Sequence, residues 1–148
     1  MVVIALSTVL VAIAVPRFSR QTQLSTFRST YASYLAVEKA AALYCADWAA
    51  LPGDASTGLQ PPGFGPYMRP GFWSTAPAIG GAWDWNNTWG TANAASYWTV
   101  DGPNVSVAHT PAPTARWTAF DQAVDNGVLT SGFLKRSNSN FLIMKVAP

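Results

Sequence analysis

Residues 1–16 carry no charge, and the pattern turns amphipathic at Arg17 with no helix-stop signal between the two stretches. This predicts one continuous N-terminal helix, its front suited to an apolar medium and its rear to water. From Phe18 onward the larger apolar residues fall at Phe18, Leu24, Phe27, Tyr31, Tyr34, Leu35, Leu43 and Trp48, with alanines between them. Most steps are three, four or seven, the period of one helical face. Arg20, Gln21, Gln23, Ser25, Arg28, Ser29 and Lys39 mostly take other faces, and Leu51-Pro52-Gly53 ends the helix. At roughly 1.5 Å per residue, a helix to about residue 50 is on the order of 75 Å long. A domain of this size cannot cover it, so other subunits or a bilayer must. Pro16 lies inside the helical pattern, where it removes a backbone hydrogen bond at a cost of about 3 kcal/mol. A kink or a locally unwound stretch just before it is expected.

Residues 52–78 form a Pro/Gly-punctuated loop, Pro61-Pro62-Gly63-Phe64-Gly65-Pro66 and Arg69-Pro70-Gly71-Phe72-Trp73, too aromatic for a flexible linker and expected to lie down on the domain. Gly80-Gly81-Ala82-Trp83-Asp84-Trp85-Asn86 alternates large apolar with polar residues, the period of a half-buried strand. Ser96-Tyr97-Trp98-Thr99-Val100 and Val105-Ser106-Val107-Ala108 flank the turn signal Asp101-Gly102-Pro103-Asn104, which predicts a hairpin. Thr114 reads as the N-cap of a short helix with Trp117, Phe120 and Val124 on one face and Gly127 at its stop. Phe141-Leu142-Ile143-Met144-Lys145-Val146 reads as a strand closing the sheet. The order of elements is α+β: a long N-terminal helix packed on a small antiparallel sheet, with a short second helix. Residues 1–20 form the apolar membrane or filament-core segment, 21–51 the amphipathic half of the same helix, and 52–148 a globular head.

Composition narrows the function classes. The 148 residues are 49% hydrophobic and only 11% charged, with a net charge of +2, which excludes a disordered chain and offers no basic patch for nucleic acid. Cys45 is the only cysteine, so no intrachain disulfide forms; on the apolar side of the helix it reads as a small buried hydrophobe, with an intersubunit disulfide or reactive thiol as the alternative. His109 is the sole histidine, and the aspartates are scattered rather than paired, so no catalytic constellation emerges and the chain is not read as an enzyme. The seven tryptophans either anchor long loops against the sheet or present rings to sugars and partners; burial is the favoured reading. Asn86-Asn87-Thr88 and Asn104-Val105-Ser106 match the N-glycosylation pattern, a weak hint of surface exposure.

The front segment has three readings: cleaved signal peptide, membrane span or packing helix of a filament core. No positive charge precedes the apolar run and Pro16-Arg17-Phe18 follows it, which argues against signal-peptide cleavage. Sixteen residues at about 1.5 Å reach about 24 Å, a little short of a bilayer core about 30 Å thick. Small residues Ala5, Ser7, Thr8, Ala12 and Ala14 among the branched ones permit close packing against copies of the same helix. Moving from lipid into a helical bundle exchanges one apolar surround for another. Identical head-to-tail contacts that do not close produce an open filament. Its core residues would be Val2, Val3, Ile4, Leu6, Val9, Leu10, Val11, Ile13, Val15 and Pro16.

The run Met1-Val2-Val3-Ile4-Ala5 through Leu10-Val11-Ala12-Ile13-Ala14-Val15-Pro16-Arg17-Phe18 resembles the N-terminal segment of type IV pilins and type II secretion pseudopilins. Pro61-Pro62-Gly63-Phe64-Gly65-Pro66-Tyr67-Met68, Ile79-Gly80-Gly81-Ala82-Trp83-Asp84-Trp85 and the turn at residues 125–132 are similar to a subgroup of prepilin-like proteins. The resemblance implies an inner-membrane subunit that becomes part of an extracellular or cell-surface filament, a homopolymer built by inner-membrane assembly machinery. The family's cleavage glycine, methylated first residue and nearby glutamate do not precede Met1, so the expectation is a sequence truncated at its front. Prepilin peptidase is a partner if the full N-terminus is present. Pilus and pseudopilus are not distinguished by residues alone. Major pseudopilins hold calcium through oxygen ligands; Asp84, Asn86, Asn87, Asp101 and Asn104 are the weak candidates here, at no defined loop spacing and equally suited to turns and caps. No other cofactor is implied. The resemblance also suggests that residues 7–15, rich in β-branched side chains, are partly non-helical in a filament. A second functional reading is a membrane-anchored binding module whose aromatic loop, residues 61–89, contacts a glycan or partner.

Overall fold

The computed structural model describes residues 2–87, 104–108, 114–137 and 141–146. Helix α1 spans Val2–Trp48, 47 residues and about 70 Å at the usual rise. It continues through Pro16, so the unwound stretch expected before that residue is absent from the single chain. Proline deletes one backbone donor, and the turns on either side carry the helix across. The helix stops where Ala49 turns left-handed (φ 51°) while its N–H donates to the Cys45 carbonyl at 2.8 Å. The buried stripe is Phe27, Thr30, Tyr34, Val37 and Ala41, joined by Ala40. Leu24, Leu35, Leu43 and Trp48, which the periodicity had placed on the packed face, are exposed. Small side chains make up half the stripe because the head's aromatic rings press directly onto it. Cys45 is half-buried rather than buried.

After a loop carrying a short 3-10 turn at Gly65–Tyr67 come β1 (Ala82–Asn86), β2 (Asn104–Ala108), α2 (Thr114–Val124), β3 (Leu134–Ser137) and β4 (Phe141–Lys145). The four strands form one antiparallel sheet in the order β1-β2-β4-β3, so the architecture is α+β with a long helix on a small sheet, pilin-like as expected. Strand β2 pairs with β1 along one edge and β4 along the other. It therefore has no edge left for the expected hairpin partner at residues 96–100, which lies outside the described residues. Strand β4 is interior, and the edge strand β3 has no counterpart in the sequence reading. Thr114 is the first residue of α2 rather than the one before it.

Trp83 and Trp85 on β1, Val105 and Val107 on β2, Met144 on β4 and Leu134 on β3 point to one face and close onto α1. Each such side chain contributes about 1.5–3 kcal/mol through removal from water. Tyr34 of α1 meets Trp83 edge-on at 5.3 Å, Phe72 stacks on Trp83 at 5.1 Å, and Phe27 packs on Phe120 of α2 at 5.2 Å. Burial drives the Tyr34 phenol well above its ordinary pKa, opposed by a hydrogen bond to the Val107 backbone. The long loop does lie down, and more deeply than expected: Phe64, Met68, Phe72, Trp73 and Ile79 are core residues. Three hydrogen bonds pin its course. The Ile79 N–H donates to Thr30 Oγ1 at 3.1 Å, Trp85 Nε1 donates to the Pro52 carbonyl at 3.1 Å, and the Gly58 N–H donates to the Trp83 carbonyl at 2.7 Å.

Candidate assembly surface

Helix α1 outruns the domain that packs on it. Every residue from 14 to 25 is exposed, and from residue 14 onward the first buried side chain is Phe27. Val15 is 61% exposed and Phe18 74%, large apolar groups with nothing of their own chain to cover them. Of the expected filament-core residues, Val2, Val3, Ile4, Leu6, Val9, Leu10, Val11 and Ile13 lie on this helix ahead of Val15 and Pro16, so all ten share one projecting element. Thr22 and Thr26 donate their hydroxyls to carbonyls four residues back, each at 3.0 Å, which satisfies these side chains within the helix itself. Among the described residues, no helix is long and apolar enough to cross a membrane.

Two of the open grooves along α1 concern assembly. One, about 900 Å³, begins where the helix leaves the head and is lined by Val15, Phe18, Thr22 and Thr26, with Arg116 of α2 as its far wall. The other, about 620 Å³, lies between Ala32, Ala36 and Lys39 of α1 and Tyr67, Arg69 and Phe72 of the loop. Arg69 stands over the Phe72 ring at 5.8 Å. At the end of the helix the Tyr67 hydroxyl donates to Asp47 Oδ2 at 2.7 Å and accepts from Trp48 Nε1 at 3.1 Å. That bond to the Asp47 carboxylate, above all, raises the Tyr67 pKa. Neither Arg116 nor this three-residue link was legible in the sequence, since both depend on residues far apart in the chain.

The calcium candidates are gathered only in part. Asp84 and Asn86 lie on β1 and Asn104 faces Asn86 across the β1–β2 register, while Asp101 lies outside the described residues, as does His109. The Asp84 carboxylate accepts from Thr57 Oγ1 at 2.9 Å on one oxygen and from Asn86 Nδ2 at 2.8 Å and Ser106 Oγ at 3.4 Å on the other. Asp54 accepts the Asn87 N–H in the same neighbourhood. These groups satisfy one another, and among the described residues no three of His, Cys, Asp and Glu stand together to hold a metal ion. The second glycosylation match is no surface loop: it sits on β2 between two strands, with Val105 and Ser106 fully buried. Trp73, Trp83, Trp85 and Trp117 are buried, and Trp48 is 66% exposed. No family model, curated protein or solved structure matches the chain.

Proposed function

We propose that this chain is a structural subunit of an extracellular filament of the type IV pilus or pseudopilus kind, assembled through α1. The observation that carries the reading is the projection of α1 beyond its head: an uncharged run ending in exposed Val15 and Pro16, then exposed Phe18, all on one helix. Apolar area of this extent in water is costly at about 25 cal/mol per Å². Copies of the same helix, small-residue faces together, remove that area while the heads stay in solvent, and a non-closing head-to-tail contact extends the array. Before assembly the same run resides in the inner membrane, and assembly machinery lifts it out. The apolar run is short for a bilayer, a mismatch that local thinning and flanking anchors accommodate.

Electron microscopy of sheared cell-surface material tests the reading. Filaments containing this chain are the expected result, and a soluble monomer with α1 intact would overturn it. The second reading, a surface module that binds glycans through its aromatic loop, loses its main support because Trp73, Trp83 and Trp85 face the core.

A further inference from the structure

The charges of α1 are distributed in a way that filament packing does not require. Between residue 1 and residue 37 the only charged side chains are Arg17, Arg20 and Arg28, and the first acid is Glu38. Arg17 and Arg20 are exposed and begin one residue after the uncharged run. By helical spacing they lie on the face turned away from the groove of Val15, Phe18 and Thr22. On the groove side a third cation arrives from a different element: Arg116, exposed in the first turn of α2, lines the same groove. None of the three has an ion-pair partner among the described residues, and no acid lines the groove. Arg17 and Arg20 thus flank the helix where its apolar run ends, beside the 74%-exposed ring of Phe18, and Arg116 lines the groove that starts there.

We infer that this collar is a seat for anionic phospholipid headgroups, which holds the head against the bilayer surface while α1 is in the membrane. The inference rests on the membrane-resident stage of the proposed function and adds a lipid class to it. Three physical points support a lipid surface. The collar is continuous with the uncharged run, so a bilayer that takes residues 1–16 meets Arg17, Phe18 and Arg20 in its headgroup layer, about 5–8 Å deep per leaflet. Phe18 stands about 3 Å beyond Pro16 along the helix, inside that layer, while Thr22 and Thr26, at about 9 and 15 Å, lie past it; Arg116 lines the groove that joins all three. Aromatic rings and cations are the groups that anchor short spans at such interfaces. Guanidinium binds phosphate diester oxygens through paired hydrogen bonds, so each arginine favours an anionic headgroup over a zwitterionic one.

The test uses the full chain, delivered from detergent into a mixture of two vesicle populations of different density. One is pure phosphatidylcholine and the other holds phosphatidylglycerol at about a third of its lipid. The expected distribution favours the phosphatidylglycerol vesicles by about 25-fold or more at low salt and falls steeply in concentrated NaCl, since each surface cation contributes about a fivefold preference. Arg116→Gln and Arg17→Gln are each expected to lower the ratio about fivefold. Arg69→Gln, which removes the same charge from the distant loop groove, leaves it unchanged. A ratio near one for the wild-type chain overturns the inference, as does an equal loss in Arg69→Gln, which would reduce the effect to net charge. If filaments form while the ratio is near one, the lipid seat fails and the assembly reading stands. If the chain enters neither vesicle and forms no filaments, both fail.

Discussion

Asp121 illustrates how much one residue of the head is constrained. It lies on the third turn of α2 with no exposed surface, and neither carboxylate oxygen is held in a hydrogen bond, although the backbone N–H groups of Gly127 and Val128 face it. Burial first, and then the charge of Asp125, lift its pKa to about 6, against a weaker pull downward from those two N–H groups. The folded state therefore holds this proton more tightly than the unfolded chain. Its stabilising effect is full below the ordinary value of 3.8 and is lost as pH rises through about 6. The expected outcome is a denaturation midpoint that falls between about pH 4 and pH 6 and levels off above it, measured by circular dichroism. Asp121→Asn flattens that dependence and gains about 1–2 kcal/mol at pH 7. Gly81 is constrained from the other direction. Its φ is +88°, and a Cβ there would stand 2.6 Å from the Ala108 carbonyl oxygen, a backbone atom fixed in the sheet. Gly81→Ala is expected to cost about 2–3 kcal/mol in chemical denaturation.

At the scale of the element, α1 is two helices in one. Phe27 and Phe18 are the same residue type nine positions apart, 2% and 74% exposed. Phe27→Ala removes the ring that packs on Phe120 and is expected to cost about 3–5 kcal/mol of stability. Phe18→Ala is expected to leave stability within about 0.5 kcal/mol while shortening or abolishing filaments seen by negative-stain microscopy. Thr30 joins the helix to the loop: its buried hydroxyl donates to the Thr26 carbonyl and accepts the Ile79 N–H. Thr30→Val leaves that buried N–H without its acceptor, at about 1–3 kcal/mol. The helix was readable from its period, its uncharged front and its Pro-Gly stop. Which face it buries was not, because ranking by side-chain size selected Leu24, Leu35 and Leu43, whereas the aromatic head selected the smaller stripe beside them.

For the molecule as a whole, the division between head and projecting helix predicts separable behaviour. A chain beginning at Gln23 retains every side chain found buried in α1. It is expected to be a monomer by gel filtration with an unfolding midpoint close to that of the intact protein, while the intact chain assembles or enters detergent micelles. A truncated head that unfolds would show that the projecting segment contributes to the fold.

The sequence by itself determined the long helix, the α+β order, β1, α2 and β4, because each rests on local period or on Gly and Pro, whose backbone preferences act within a few residues. The uncharged front was equally plain in the sequence, and at its end Val15 and Phe18 are exposed. Only the tertiary structure decided that β2 is central, which removes the edge a hairpin would need, and that Leu-Lys-Arg-Ser forms an edge strand whose one apolar residue, Leu134, reaches the core. It also decided the site: Arg116 joins Phe18 at the collar, and Thr57 joins Ser106 at Asp84, through contacts between elements far apart in the chain. Local pattern carries no information about such pairings, since they arise only when the sheet and the loop close on the helix.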